Sequence, residues 1–344
     1  MRSDKDARVR HALLGWYGRA RRNLPWRATR DPYAIWVAET MLQQTQVKTV
    51  LPYYSRFLAA FPSIIALDRA RRDKVLALWS GLGYYRRATN LKKAAREIVR
   101  RHGGRLPRDF GALRALPGVG AYTAGAVMSI AFGERYPALD ANARRVLSRI
   151  YGPTDDARLR ALAARVVPAS RPGDFNQALM DLGATVCLAR NPRCAECPIG
   201  AHCAASRGGH IAKTAAKAPQ RKVEWPLALI AQNGRILLRR RDERGLLAGM
   251  WEIPGGEKRK RESVTAALAR ELGALGARVA SATMLGVVRH SITDRSIRAP
   301  VYLCALAGDP PGGLRGWRWF ALDTLKTLPI SALSVKAARL AQRA

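Results

Sequence analysis

Four of the five cysteines lie in one short run, at Cys187, Cys194, Cys197 and Cys203. Their spacing, C-x6-C-x2-C-x5-C, brings four thiolates close enough to bind one tetrahedral metal ion or one cubane iron–sulfur cluster. Zinc is the alternative metal, although four-cysteine zinc sites usually have two C-x2-4-C pairs and this run has one. Clustered cysteines in a cytosolic chain bind metal more often than they form disulfides. The run therefore predicts a metal-bound loop.

The net charge limits the partners of the chain. Its 60 basic and 25 acidic residues give a formal charge of +35, and a protein that basic usually binds a polyanion. The charge favours nucleic acid over an anionic membrane, and no apolar run approaches the length that spans a bilayer. The charged stretch Met1–Arg10 lacks the apolar segment of a secretory signal. We expect a cytoplasmic, monomeric protein that is associated with DNA.

The length of 344 residues predicts two domains rather than one core. Residues 1–206 are expected to be all helical, because apolar residues recur there with helical spacing. Residues 207–224 read as a linker rich in Gly, Ala, Lys and Pro, and residues 225–344 as a smaller α+β domain. The predicted helices of the first domain are Ile35–Val47, Tyr84–Arg101, Ala121–Ala131, Asn142–Ile150 and Asp174–Val186.

The second domain opens on a hairpin signal. Asn233-Gly234 is typical of a tight turn between two strands, here Leu227–Ala231 and Arg235–Leu238. The other predicted elements are helices at Ser263–Leu272 and Ser331–Arg343 and strands near Ala282–Arg289 and Ala299–Ala305.

The segment Leu116-Pro117-Gly118-Val119-Gly120 precedes the predicted helix at Ala121. Its glycines allow a tight turn and a close approach to a ligand, and free amides at a helix start favour an anion. Gly118, Val119 and Gly120 are therefore candidates for binding DNA phosphates, which position a protein without specifying sequence.

Two carboxylates are candidates for acid and electrostatic catalysis. On a helix, Glu39 has Ile35, Trp36 and Leu42 as neighbours, and an apolar surrounding raises the pKa of a carboxyl group, as a general acid requires. Asp140 precedes a helix, where it is either an N-cap or an anion that stabilises a cationic sugar. Cleavage of a glycosidic bond typically needs such a pair.

Five segments together resemble the MutY family of adenine DNA glycosylases, in the family's order and at its spacing. They are A-E-T-M-L-Q-Q-T-Q-V, G-L-G-Y-Y-x-R-A, L-P-G-V-G-x-Y-T-A, L-D-x-N-x-x-R and the cysteine run. With the C-terminal domain, the resemblance covers nearly the whole chain. It implies a helix-hairpin-helix glycosylase domain, a [4Fe–4S] cluster on the four cysteines, and double-stranded DNA with adenine opposite 8-oxoguanine or guanine as substrate.

The resemblance also assigns roles to individual residues. Glu39 would protonate adenine at N7 and Asp140 would stabilise the cation at C1′, with Tyr122 and Asn142 assisting at the sugar. An enzyme that acts on a stacked base must flip it out of the helix. The resemblance places Gln44, Leu82 and Tyr84 against the DNA that remains, and Trp26, Arg27, Leu42 and Gln177 around the flipped adenine.

Tyr122 bears on the choice between hydrolysis and strand cleavage. In bifunctional relatives a lysine two residues after the last hairpin glycine forms a Schiff base with C1′. A phenol cannot form that imine, and no lysine occurs between Lys93 and Lys213. The sequence predicts hydrolysis without efficient lyase activity.

The segment Gly249–Glu257 resembles the approach to a Nudix box. The helix that follows reads Leu268-Ala269-Arg270-Glu271-Leu272-Gly273 and lacks the paired glutamates that bind catalytic metal. The resemblance therefore implies a Nudix-like domain that recognises 8-oxoguanine. The family's recognition motif, commonly F-S-H, aligns with Ile292-Thr293-Asp294, in which Thr293 keeps the hydroxyl and Asp294 replaces the imidazole.

Three other functions are weighed against this one. An endonuclease III-like pyrimidine glycosylase is disfavoured by Tyr122 and by the C-terminal domain. A non-catalytic DNA-binding protein is disfavoured because Glu39 and Asp140 are both present. A nucleotide pyrophosphatase is disfavoured by the incomplete Nudix box.

Overall fold

The structure, a computed structural model, describes residues 2–152, 155–207, 219–243, 245, 247–292, 294–308 and 316–341. The chain forms two compact units. The helical unit comprises Met1–Arg69 and Asn90–Ala216, and the mixed unit comprises Ala70–Thr89 and Lys217–Ala344. The predicted succession of an all-helical part and an α+β part is confirmed. Within the described residues, no helix has the length and apolar character needed to cross a membrane.

Twelve helices precede the first strand in the described part of the chain. The first six are α1 (Arg2–Ala20), α2 (Pro32–Leu42), α3 (Val47–Ala60), α4 (Ile64–Arg69), α5 (Arg72–Trp79) and α6 (Arg86–His102). The next six are α7 (Phe110–Ala115), α8 (Ala121–Ile130), α9 (Ala141–Tyr151), α10 (Asp156–Val166), α11 (Pro172–Thr185) and α12 (Ala204–Arg207). Short 3-10 turns lie at Pro25–Arg27, Cys194–Glu196 and Gly200–His202.

Helix α2 illustrates how the sequence sets the ends of a helix. Asp31 accepts hydrogen bonds from the amides of Tyr33 and Ala34, and Pro32 occupies the first turn, where no N–H is needed. The helix ends at Leu42, five residues before the predicted end at Val47, and α3 begins at Val47. The intervening Gln43-Gln44-Thr45-Gln46 contains no apolar residue, and Gln44 has a φ of +58°, which an α-helix does not accommodate, so the chain turns here instead of continuing the helix.

One core of the helical unit lies between α1, α9, α10 and α11. Its residues are fully or almost fully buried, so their apolar surface contributes most of the stability of this bundle. They include Val9, Leu13 and Tyr17 of α1, Val146 and Leu147 of α9, Leu159 and Ala163 of α10, and Phe175, Leu179 and Leu182 of α11.

The mixed unit contains two four-stranded sheets. The first has the order β1-β7-β2 with β6 paired to β7, and the second has the order β3-β4-β5 with β8 paired to β4. The strands are β1 (Arg221–Glu224), β2 (Leu227–Leu229), β3 (Ala231–Gln232), β4 (Arg235–Arg240), β5 (Trp251–Glu252), β6 (Val279–Ile292), β7 (Arg295–Leu306) and β8 (Trp317–Ala321). Helices α13 (Val264–Gly273) and α14 (Ala332–Ala338) and the 3-10 turn Leu322–Thr327 complete the unit.

Several C-terminal elements differ from the prediction. The segment Leu227–Ala231 is divided between β2 and β3, which belong to different sheets. Arg221–Glu224, assigned to the linker by composition, forms β1, because Val223 is buried and pairs with Ile297. The described residues do not include 208–218 of that linker. The Asn233-Gly234 turn is confirmed, since both residues have the positive φ that such a turn requires.

Residues 70–89 interrupt the helical unit in sequence and pack within the mixed unit. Asp73 pairs with Arg240 at 2.7 Å, and the Ser80 hydroxyl donates a hydrogen bond to the carbonyl of Ile330 at 2.7 Å. These long-range contacts explain why the compact units differ from a simple division at residue 206.

Candidate active site

Glu39 lies on α2 with its side chain buried, only 4 % of the residue being exposed. The Tyr122 hydroxyl, at the start of α8, donates a hydrogen bond of 2.5 Å to Oε2 of Glu39. The sulfur of Met180 lies 3.9 Å from the same hydroxyl. The structure thus joins an acid and a phenol that are 83 residues apart in sequence.

The surroundings of Glu39 favour its protonated form. The pKa of Glu39 is raised to about 7: burial and the negative charge of Asp140 raise it, whereas the hydrogen bond from Tyr122 and the charge of Arg27 lower it. The pKa of Tyr122 lies well above its ordinary value, chiefly through burial. Glu39 can therefore carry a proton near neutral pH, as the apolar helix face predicts.

Asp140 is the N-cap of α9. Its Oδ1 accepts a hydrogen bond of 2.6 Å from the amide of Ala143, and its Oδ2 accepts one of 3.2 Å from the Asn142 side chain. Burial raises the pKa of Asp140, and both hydrogen bonds oppose that shift. The two interpretations of Asp140 are thus compatible, because the residue that caps the helix also carries a charge that raises the pKa of Glu39.

The loop before Asp140 is fixed by a buried amide. Asn176 of α11 accepts a hydrogen bond from the Ala138 amide at 3.2 Å and donates one to the Tyr136 carbonyl at 2.8 Å. At Gly125 of α8, an added Cβ would lie 2.1 Å from the carbonyl oxygen of Pro137. Only glycine fits at that approach, so helix and loop are held in close contact.

Arg145 connects the capped end of α9 with the start of the cysteine loop. Its guanidinium donates hydrogen bonds to Oδ1 of Asn142 at 2.8 Å, to the Gly183 carbonyl at 2.6 Å and to the Cys187 carbonyl at 2.9 Å. The chain of contacts therefore runs from Cys187 through Arg145 and Asn142 to Asp140. The sequence contains the arginine within the motif L-D-x-N-x-x-R, but no spacing reveals its distant partners.

Cys187, Cys194, Cys197 and Cys203 line one cavity, together with the buried Arg149. The two 3-10 turns place Cys197 and Cys203 at their ends, and Nη1 of Arg149 lies 3.3 Å from the sulfur of Cys187. Four thiols around a common cavity fit an iron–sulfur cluster, whose ligands are cysteine thiolates. In the described residues, no three His, Cys, Asp or Glu side chains are arranged to hold a single metal ion.

The residues predicted to surround adenine lie on three elements of the helical unit. Trp26 and Arg27 form a 3-10 turn, Leu42 ends α2 and Gln177 lies on α11. Trp26 is buried and packs edge-on against Tyr54, with ring centroids 5.2 Å apart. Gln177 is also buried, and its side chain makes no hydrogen bond to another described residue, so the side-chain amide is available to a ligand. No sequence pattern indicates a role for Asp181, which accepts hydrogen bonds from both Nη atoms of Arg27.

The predicted phosphate-binding hairpin joins α7 to α8. Gly118 has a φ of +79°, and an added Cβ would lie 2.8 Å from the Cβ of Asn90. Val119 is buried and donates its amide to the Leu116 carbonyl. Gly120 is the N-cap of α8, and its amide and that of Gly118 have no partner among the described residues. This geometry suits an anion.

The residues predicted to contact the remaining DNA differ in exposure. Gln44, in the helical unit, is exposed and has a φ of +58°. Tyr84, in the mixed unit, is 42 % exposed with a φ of +48°, and the guanidinium of Arg87 lies over its ring. Leu82 is buried. A left-handed backbone is unusual for a residue other than glycine and often marks a functional site.

Near the Nudix-like segment, the acidic side chains contact arginines. Glu257 accepts two hydrogen bonds from Arg221, and Arg270 contacts both Glu262 and Glu271. Thr293 lies outside the described residues; the flanking Asp294 accepts a hydrogen bond on its carbonyl from the Arg221 amide at 2.8 Å.

Three family models match the chain. The model for the HhH-GPD superfamily base excision DNA repair protein matches residues 37–168, the iron-sulfur binding domain of endonuclease III matches residues 187–203, and the NUDIX domain matches residues 227–340. The middle match contains all four clustered cysteines. It identifies that loop as an iron–sulfur binding domain and confirms the predicted cofactor.

Known proteins agree with these matches. Adenine DNA glycosylase of Homo sapiens is 34 % identical, over 97 % of this chain and 74 % of that protein. Adenine DNA glycosylase of Buchnera aphidicola subsp. Acyrthosiphon pisum is 40 % identical, over 56 % of this chain and 57 % of that protein. The solved structure of a thermostable thymine-DNA glycosylase has a TM-score of 0.57 at 33 % identity and covers 60 % of this chain and 98 % of that chain. The long alignment with the human enzyme, together with the three domain matches, shows that the chain belongs to the adenine DNA glycosylases of base excision repair.

Proposed function

We propose that this enzyme removes adenine paired with 8-oxoguanine or guanine by hydrolysis of the N-glycosidic bond, without an efficient strand-cleavage step. The observation that carries the proposal is the buried pair of Glu39 and Tyr122, with Asp140 as a second carboxylate whose charge raises the pKa of Glu39.

Glu39 acts as the general acid. With a pKa raised to about 7, it holds a proton near neutral pH and still releases it to a more basic acceptor. Its proton passes to N7 of adenine as the bond from C1′ to N9 breaks, so the base leaves neutral. The hydrogen bond from Tyr122 fixes one carboxyl oxygen of Glu39, which leaves the other to face the base.

Asp140 stabilises the positive charge that develops on the sugar. The Ala143 amide and the Asn142 side chain hold its two oxygens in place, and a preoriented charge stabilises a transition state without reorganisation. Water then adds to C1′ and passes a proton to the Glu39 carboxylate, so the acid is restored and the products are adenine and an abasic site. Cys187, Cys194, Cys197 and Cys203 would hold the iron–sulfur cluster, which would brace the cysteine loop, and none of these steps passes through it.

Tyr122 supports hydrolysis rather than lyase chemistry, because a phenol forms no imine with C1′. Borohydride reduction of the reaction mixture is the test. We expect no covalent protein–DNA complex to form at the rate of adenine release. A complex trapped as fast as excision would contradict the monofunctional assignment.

The mixed unit is proposed to detect 8-oxoguanine in the opposite strand. Its carboxylates contact arginines, an arrangement that suits a DNA-facing domain better than a metal-dependent hydrolase. Single-turnover excision by the full chain is the test, on matched duplexes with adenine opposite 8-oxoguanine, adenine opposite guanine, thymine opposite guanine, and an oxidised pyrimidine. We expect adenine release from the first two duplexes, faster from the first. Equal rates on both would contradict lesion detection, and faster thymine or pyrimidine release would contradict the adenine pocket.

A further inference from the structure

Asp181 of α11 is fully buried, with 0 % of its surface exposed. Its carboxylate contacts two guanidinium groups. Arg27 donates from Nη1 to Oδ2 at 2.5 Å and from Nη2 to Oδ1 at 2.6 Å. Arg22 donates from Nε to Oδ1 at 2.7 Å and from its amide to Oδ2 at 3.3 Å. A buried carboxylate with this many charge-assisted hydrogen bonds is strongly fixed.

The two arginines are not equivalent. The Arg27 side chain is 8 % exposed, whereas the Arg22 side chain is 31 % exposed. The Arg27 guanidinium also lies over the ring of the buried Tyr17, at 5.5 Å from its centroid. Nε of Arg27 is buried and makes no hydrogen bond to a described residue. Asp181 therefore occupies both Nη atoms of Arg27 and leaves Nε as a buried donor without a partner.

Asp181 also connects two walls of the predicted base pocket. It lies four residues after Gln177 on α11, so both side chains project from the same helix face. Through Arg27 it is bonded to the 3-10 turn Pro25–Arg27, which also carries Trp26. The spacing between Trp26, Arg27 and Gln177 thus depends on one carboxylate.

We propose that Asp181 is a positioning residue: it holds the guanidinium of Arg27 in the wall of the adenine pocket and keeps that charge paired with a carboxylate other than the acid Glu39. This inference rests on the proposed function, which assigns Arg27 to the pocket and Glu39 to proton transfer.

The charge of Arg27 matters because Glu39 must stay protonated. The groups that act on Glu39 are the hydroxyl of Tyr122, the carboxylate of Asp140 and the guanidinium of Arg27. Tyr122 and Arg27 lower the pKa of Glu39 and Asp140 raises it. Burial works against the charge of Arg27, yet its bonds to Asp181 raise the pKa of Arg27 above the ordinary value. Arg27 therefore stays cationic, and the carboxylate of Asp181 pairs with its positive charge.

The test is the pH profile of single-turnover adenine excision by Asp181→Asn in the full chain, on the adenine–guanine duplex. Loss of the carboxylate frees Arg27 to turn toward Glu39, which lowers the pKa of the acid. We expect excision to slow by about 100-fold, the scale of a misplaced pocket, and the alkaline fall in rate to move to lower pH. Asp174→Asn, which removes a carboxylate from a surface pair with Arg171 on the same helix, should leave rate and profile unchanged.

Two further variants keep the inference testable if Asp181→Asn folds poorly. Arg22→Gln leaves the bonds between Asp181 and Arg27 intact, so its profile should keep the wild-type shape. Arg27→Gln removes the opposing charge, so the alkaline fall should move to higher pH. An unshifted profile in Arg27→Gln, or a uniform loss of rate at every pH in a folded Asp181→Asn protein, would overturn the inference. A wild-type enzyme that releases no adenine would instead overturn the proposed function.

Discussion

Two glutamates, one in each unit, have opposite pKa shifts. In the helical unit, Glu39 is buried against a phenol, and burial raises its pKa to about 7. In the mixed unit, Glu262 is bonded to a guanidinium, and its hydrogen bonds with Arg270 lower its pKa to about 2. The surroundings of a carboxyl group thus decide whether it can carry a proton near neutral pH or stays an anion. The comparison teaches that counting glutamates in a motif says less about chemistry than their partners do.

The largest expected effect is that of Glu39→Gln. The amide has nearly the shape of the acid but cannot donate a proton to the leaving base, and general acid catalysis typically contributes about 100- to 10,000-fold. We expect single-turnover excision to fall by that amount while binding to the mismatched duplex is retained. Excision at the wild-type rate would show that Glu39 is not the general acid. The matched control is Glu262→Gln.

Asp140→Asn separates the two roles of Asp140. Asparagine caps a helix about as well as aspartate, so unfolding free energy should change by less than about 0.5 kcal/mol. The charge that stabilises the sugar cation is lost, and we expect excision to fall by about 100-fold or more. Chemical denaturation and single-turnover kinetics on the same preparation measure both. A large loss of stability with little loss of rate would reduce Asp140 to a cap.

The dependence on pH sharpens the assignment of the acid. Since Glu39 must be protonated, the excision rate should decline as pH rises through about 7. Tyr122→Phe removes a hydrogen bond that lowers the pKa of Glu39, so the decline should move to higher pH. Rates at matched ionic strength, with DNA held above saturation, test this. A shift to lower pH would contradict the role of the phenol.

The smallest effect is expected for Glu262→Gln in the mixed unit. Near-surface ion pairs contribute little to stability, so we expect a slight change in melting temperature and no change in the adenine excision rate. The measurement pairs thermal unfolding with the single-turnover assay. A loss of excision comparable to that of Glu39→Gln would show that the acids of the mixed unit serve the reaction after all.

Local sequence patterns predicted many of the helices and one hairpin turn, because these elements depend on residues that are close together in the chain. Apolar spacing placed α8, α9 and α11 to within a few residues, and Asn233-Gly234 located a hairpin. The same rules placed Glu39 on an apolar helix face and Asp140 at a helix start. Both positions could be predicted because they depend only on residues within one or two helical turns.

Contacts between distant segments were beyond such patterns. The bonds between Arg27 and Asp181 span 154 residues, and those between Arg145 and Cys187 span 42. Nor does local spacing tell that Leu227–Ala231 divides between two sheets, because strand pairing depends on partners elsewhere in the chain. The family resemblance predicted the residues of the proposed pocket. It did not predict Asp181, whose carboxylate holds the guanidinium of Arg27.

The segment 70–89 has a consequence for how this enzyme can be dissected. It carries Tyr84 and Leu82, yet it is held by groups near the other end of the chain: Arg72 donates to the Ala248 carbonyl at 3.1 Å, Asp73 pairs with Arg240 and Ser80 bonds to Ile330. A fragment cut after residue 216 would keep Tyr84 and lose all three anchors. Activity missing from such a fragment would then have two possible causes: loss of the domain proposed to recognise the opposite base, and loss of the contacts that hold residues 70–89 in place. The boundaries of the matched domains therefore differ from those of the compact units, since residues 70–89 lie inside the HhH-GPD match but pack with the C-terminal unit.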